Sequence, residues 1–182
     1  MSQFTFLNNK TVLVTGVSSS DQRFKNIGQA LVELLVENDA QVIAVSRDIK
    51  KCEKAVKHLT EQGLSIIAKQ CDISSHSDVE SLFKWVEETY GSLNYLINNA
   101  GTEGVLEPVD QLSLDNIDSV IDINGKGTLY CLKEGISLMK RALSNDSKMD
   151  CSIINVGSIA AEIGMPNTSV YAYSKAGIAS IT

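Results

Sequence analysis

Short apolar runs alternate along the chain with longer stretches whose apolar residues recur every three or four positions. TVLVT (11–15), QVIAV (41–45), SIIAKQC (65–71), NYLIN (94–98) and SIINV (152–156) are rich in β-branched residues and each reads as a buried strand. Between them, IGQALVELLVEN (27–38), KKCEKAVKHLTEQ (50–62), DVESLFKWVEETY (78–90) and a long stretch from Leu114 to Leu143 carry helical spacing. Strict alternation of this kind predicts an α/β fold, a doubly wound parallel sheet with right-handed crossovers and helices on both faces. SNDSKMD (144–150) has the composition of a linker but is short enough to be a helix-to-strand loop.

At 182 residues and 43% hydrophobic composition the chain suits one domain, 1–182, with a sizeable core. A net charge of −6 argues against a nucleic-acid surface, and the locally basic KKCEKAVK (50–57) reads as one solvated helix face. Cys52, Cys71, Cys131 and Cys151 are widely spaced with no CxxC pair, so neither a metal site nor a disulfide framework is expected. Reduced thiols, no signal-like N-terminus and no run of membrane-spanning length predict a cytoplasmic protein without a membrane partner.

In open α/β sheets ligands sit beyond the carboxyl ends of the strands, which directs attention to the loops after residues 15, 45, 71, 98 and 156. The first, TGVSSSDQRFKNIGQA (15–30), separates Gly16 from Gly28 by far more than a tight glycine turn would. It reads either as an ordinary polar loop or as an extended turn. The extended turn would bring backbone N–H groups and the helix start at Ile27 to a pyrophosphate, with Ser18, Ser19 and Ser20 adding hydroxyls. Asn26 stands where a middle glycine would be, and asparagine tolerates a left-handed conformation best among the other residues. After the second run, Ser46 takes the position where NAD-binding proteins place a ribose-binding carboxylate, and Arg47 follows with a guanidinium suited to a 2′-phosphate. Asp72 in CDIS could accept from an adenine amino group or, with Ser74, cap the next helix. In NNAG (98–101) the Ala100-Gly101 pair would let backbone approach a flat ring, or simply make a turn. In YAYSK, Tyr171 and Lys175 lie at i and i+4 on a predicted helix over 169–182, a pairing that chance alone supplies readily.

Taken in order, the TG turn, SRD, Asp72, NNAG, Asn124 in DINGKG, Ser158 and Tyr171/Lys175 form a far more specific pattern. Over essentially the whole chain it resembles the classical short-chain dehydrogenase/reductase family, and within it the 3-oxoacyl-acyl-carrier-protein reductases. The resemblance implies a Rossmann-type α/β/α fold. It places Asn124, Ser158, Tyr171 and Lys175 on the family's catalytic tetrad. It also places Asp72, Ile73, Asn99, Ala100 and Gly101 on adenosine-binding positions, with Gly16, Ser18, Ser19, Lys25, Asn26 and Ile27 at the pyrophosphate turn. One departure is the interval 17–26 between TG and IG, longer than the family's and similar to that of enoyl-acyl-carrier-protein reductases, whose tyrosine and lysine are spaced further apart than YxxxK.

The resemblance implies an NAD(P)-dependent oxidoreductase interconverting a small-molecule carbonyl and an alcohol, with 3-oxoacyl thioesters the first candidate substrates. Tyr171 would protonate the carbonyl oxygen, the Lys175 ammonium would stabilise its anion and hold the nicotinamide ribose, Ser158 would donate to the developing alkoxide, and Asn124 would position a water. Arg47 together with Lys25 predicts NADP(H) over NAD(H). A dinucleotide-binding module without turnover and an enoyl thioester reductase are the alternatives. The family continues past the tyrosine helix, so the expectation is a C-terminally incomplete Rossmann domain, slow alone, and a homodimer or homotetramer at full length.

Overall fold

The computed structural model describes residues 5–19 and 24–182; Ser20, one of the serines of the opening turn, lies outside them. The strands are β1 (Thr11–Thr15), β2 (Gln41–Ser46), β3 (Ile66–Gln70), β4 (Tyr95–Asn98) and β5 (Ser152–Asn155). The helices are α1 (Ile27–Val36), α2 (Ile49–Glu61), α3 (His76–Tyr90), α4 (Leu114–Val120), α5 (Thr128–Asn145) and α6 (Ser169–Ser180). All strand pairs are parallel, in the order β3-β2-β1-β4-β5, so the chain winds outward from β1 in one direction and then returns to its other side at β4. The doubly wound sheet expected from the alternating pattern is therefore present. Its switch point lies between the carboxyl ends of β1 and β4.

Alternation along β1 splits the core into two layers, because successive side chains leave a strand on opposite faces. Val12 and Val14 pack with Val32, Val36, Val56 and Leu59 of α1 and α2. Leu13 packs with Ile43, Val45, Leu82, Phe83 and Leu138 toward α3 and α5. On α2 the buried residues Cys52, Ala55, Val56 and Leu59 follow the i, i+3, i+4, i+7 stripe. Asn26, Asp48, Ser75 and Ser113 each accept a backbone N–H of the first turn as N-caps, so the helix starts are encoded locally. Ser75, not Asp72 or Ser74, caps α3.

The sequence expectation needs correction in two places. β3 and β5 are the edges of the sheet and only partly buried, with Ile154 54% exposed, because an apolar run does not reveal whether a neighbour will cover it. The long stretch from Leu114 to Leu143 is not one α-helix. A π-helical segment, Ile121–Gly127, interrupts it between α4 and α5. Among the described residues no helix is long and apolar enough to cross a membrane, and no group of metal-ligating side chains comes together.

Candidate active site and cofactor cleft

Gly16 and Gly28, distant in sequence, meet in space. Gly16 has φ +76°, and a Cβ there would lie 2.6 Å from Ala100 Cα; one on Gly28 would lie 2.6 Å from the Gly16 carbonyl oxygen. The start of α1, the turn after β1 and the NNAG loop thus meet at this junction. Asn99 Nδ2 donates to the carbonyl oxygens of Thr15 at 2.9 Å and Gly16 at 3.3 Å. Thr15 Oγ1 accepts from the N–H groups of Asn99 at 3.1 Å and Ala100 at 3.0 Å. Nothing in the sequence pattern distinguished Thr15 from a strand residue, since its role exists only once β4 lies beside β1.

The rest of the opening turn differs from expectation in three respects. Asn26 is extended, at φ −79°, rather than left-handed: it forms a capping box with Gln29 and its Nδ2 donates to Ser18 O at 2.6 Å, tying the long turn to the helix start. The Ser19 N–H donates to Lys51 O at 2.9 Å, so it is spent within the protein rather than free for a phosphate. Lys25 is held by Glu33 on α1, with Nζ–Oε contacts of 2.7 and 2.5 Å.

Beyond the strand ends lies a cleft with two lobes. One, of about 430 Å³, is lined by Ser46, Arg47, Lys51, Asp72, Ile73 and Ala100 among others. The second, of about 550 Å³, is lined by Lys25, Asn26, Ile27, Glu103, Tyr171 and Lys175 among others, and Gly16, Ser18, Asn99, Gly101 and Thr102 border both. In the first lobe the Arg47 guanidinium and the Lys51 ammonium have no partner among the described residues. The nearby carboxylate, Asp48, accepts the Lys51 N–H at 3.1 Å as the α2 cap. Lys51 went unread in the sequence because it belongs to a basic helix start that looks like ordinary solvated surface. Asp72 Oδ1 accepts from both the N–H and the hydroxyl of Ser74, while Oδ2 has no partner among the described residues. Cys71 also lines this lobe, but burial pushes its thiol up to about 12, so it is inert as a nucleophile.

In the second lobe Tyr171 and Lys175 share one face of α6. Lys175 is 4% exposed, its Nζ donates to Val156 O at 2.7 Å and stands 6.0 Å from the Tyr171 ring centroid. Burial holds the Lys175 ammonium below the usual lysine range. The Tyr171 hydroxyl has no protein partner among the described residues. Ser158 caps the 3-10 turn Ile159–Ala161, where its Oγ accepts from Ala160 N at 3.2 Å, and no hydrogen bond joins it to Tyr171.

Asn124 sits in the π-helical segment and is fully buried. Its Oδ1 accepts from Thr102 N at 2.8 Å, and its Nδ2 donates to Thr102 O at 2.8 Å and to Ser174 Oγ at 2.9 Å. Both amide hydrogens are therefore committed, and the side chain clamps the loop after β4 to α6 rather than presenting a donor to water. Ser174, whose Oγ donates to Tyr171 O at 2.7 Å, completes that clamp and could not be singled out from YAYSK alone. Asn124→Leu should lower stability by about 2–4 kcal/mol, since it removes the buried bond to Ser174 and leaves both backbone groups of half-buried Thr102 without this partner. Urea unfolding measures it, and a loss below about 1 kcal/mol would show that the clamp is not structural.

Comparison with known proteins then decides the family. Residues 10–182 match the family model described as short chain dehydrogenase. This chain belongs to the short-chain dehydrogenase family. A 3beta-hydroxysteroid dehydrogenase of Mediterraneibacter gnavus is 31% identical over 175 residues, covering 96% of this chain and 59% of that protein. An uncharacterized oxidoreductase of Staphylococcus aureus is 29% identical, covering 98% of this chain and 71% of that one. Among solved structures, a short chain dehydrogenase from Mycobacterium smegmatis superposes with TM-score 0.86 at 23% identity, covering all of this chain and 70% of that one. NAD+-bound xylitol dehydrogenase superposes with TM-score 0.86 at 29% identity, covering 97% and 63%. The chain thus spans 59% of the length of the curated hydroxysteroid dehydrogenase and 63% of that of the xylitol dehydrogenase structure.

Proposed function

We propose that this protein binds NADP(H) across the two lobes and interconverts a carbonyl compound and an alcohol, with Ser158, Tyr171 and Lys175 acting on substrate and cofactor and Asn124 holding the helix that carries Tyr171 in place. The observation that carries the reading is the buried Lys175 ammonium, pinned by Val156 O one helical turn from a Tyr171 phenol that opens into the cleft. When bound, the dinucleotide supplies or accepts the hydride. Tyr171 then gives its proton to the carbonyl oxygen, or takes it back from the alcohol, and the Lys175 charge stabilises the negative charge left on the phenol oxygen. Ser158 keeps its hydroxyl hydrogen free, because the capping bond uses only an Oγ lone pair, and it donates to the developing alkoxide. The glycine junction fits a pyrophosphate, since it brings backbone within reach with no side chain between. Asp72 Oδ2 accepts from the adenine amino group. The name of the hydroxysteroid dehydrogenase relative and the 3-oxoacyl thioesters implied by the sequence pattern supply the first substrates to try.

The same reading assigns the choice between cofactors to the first lobe. Among the described residues Arg47 has no partner there, and Ser46 stands in place of a ribose-binding carboxylate, which suits a 2′-phosphate; Lys25, engaged by Glu33, takes no part. The protein should bind NADPH at least about tenfold more tightly than NADH, and Ser46→Asp with Arg47→Ala should reverse the order, as titration of cofactor fluorescence would read. Equal affinity of the unaltered protein for both would sink the assignment, and cofactor binding without turnover of any carbonyl would leave a binding module.

A further inference from the structure

We infer that the substrate taken beside Tyr171 is an uncharged, apolar ketone or secondary alcohol, and that anionic substrates, including thioesters on phosphate-bearing carriers, are disfavoured. The inference rests on the carbonyl-alcohol reading above and specifies its substrate class. Two segments flank the phenol. The loop after β4 is anchored, because Thr102 is clamped by Asn124 and the Val105 N–H donates to Asn116 Oδ1 at 2.9 Å. From this fixed base it presents Val105, Leu106 and Val109 to solvent. The segment after β5 packs its 3-10 turn against α6 and exposes Ile159, Ile163 and Met165. Isolated exposed aliphatics are ordinary on a protein surface and others stand elsewhere on this one, but these six fall within two short segments whose neighbours Thr102, Glu103, Val156 and Gly157 line the lobe with Tyr171.

Charge narrows the occupant further. From 99 to 125 and from 156 to 174 the chain has no lysine, arginine or histidine, whereas Glu103, Glu107, Asp110 and Glu162 are exposed there. Glu103 lines the lobe itself. The cations that do reach this lobe are already committed, Lys25 to Glu33 and Lys175 to Val156 O. A carboxylate or phosphate on the substrate would therefore meet like charge and, among the described residues, no uncommitted counter-ion while giving up its water, whereas an apolar neutral chain would meet the aliphatic side chains.

Equilibrium binding of 2-decanone, 3-oxodecanoate and 3-oxodecanoyl-coenzyme A to the protein saturated with NADP+, with steady-state reduction by NADPH in parallel, tests this. The ketone should bind at least about tenfold more tightly than either anion, and Glu103→Lys with Glu162→Lys should shrink that ratio by about tenfold. The ratio is internal to each variant, so partial loss of folding does not imitate the result. Anions binding equally or better, or no ketone binding to the cofactor-loaded protein, would overturn the inference. Failure to bind either dinucleotide would instead overturn the underlying reading. If Leu106→Asp with Met165→Asp dissolves an assembly of copies in ultracentrifugation yet leaves ketone affinity unchanged, the apolar segments serve self-association and the inference falls.

Discussion

Tyr171→Phe is expected to lower kcat by about 10²- to 10⁴-fold while leaving the cofactor dissociation constant unchanged. The phenol oxygen makes no hydrogen bond among the described residues, so its removal breaks no internal contact, and the phenyl ring keeps its place beside Lys175. Neither the fold nor the cleft should register the change. The missing atom is the one that exchanges a proton with the substrate oxygen, so the loss should fall on the chemical step, and single-turnover reduction read by NADPH absorbance separates it from binding. Tyr173, two residues along the same helix and 70% exposed, is the internal control, and Tyr173→Phe should be silent. Turnover by Tyr171→Phe within about tenfold of the unaltered protein would remove Tyr171 from the role of acid.

Gly16→Ala is expected to lower stability by about 3 kcal/mol and to abolish cofactor binding. Two costs coincide at this position. The backbone sits at φ +76°, where any Cβ is strained, and that Cβ would come within 2.6 Å of Ala100 Cα and 2.8 Å of Ala100 N. These are backbone atoms that cannot rotate away, so the NNAG loop must move off the turn and the floor of the cleft opens. A fall in melting temperature of about 6–12 °C corresponds to that free energy for a chain of this size. Gly91→Ala separates the two costs. Gly91 has φ +73° at the end of α3 with nothing within 4 Å of a built Cβ, so it should show the strain alone, about 1–2 kcal/mol. If both substitutions cost the same, close approach of the two loops is not what requires glycine at position 16.

The elements of this protein were determined by its sequence almost residue by residue wherever the signal was local. TVLVT coincides with β1 and the stripe on α2 names its buried face before any neighbour is known, whereas the cap of α3 was read at Asp72 with Ser74 and stands at Ser75. Hydrophobic periodicity and capping act over a turn or two of chain, which is why they can be read there. The ordered set of Asp72, NNAG, Asn124, Ser158 and Tyr171/Lys175 was singled out differently, by its resemblance to the short-chain dehydrogenase pattern, since each member taken alone also read as a cap, a turn or a chance pairing. What the sequence left open depends on distant segments. Gly16 and Gly28, twelve positions apart, come together where β4 lies beside β1 and delivers Asn99 to both glycines and Ala100 to Gly16. Lys25 could be spent on Glu33, and Ser19 on Lys51, only after the turn had folded across α1 and α2. The π-helical segment that carries Asn124, and its grip on Thr102 and Ser174, join residues some fifty positions apart in sequence. Even burial of β3 and β5 was decided by sheet order, because an apolar run states that a strand can be covered and only its position in the sheet says whether it is.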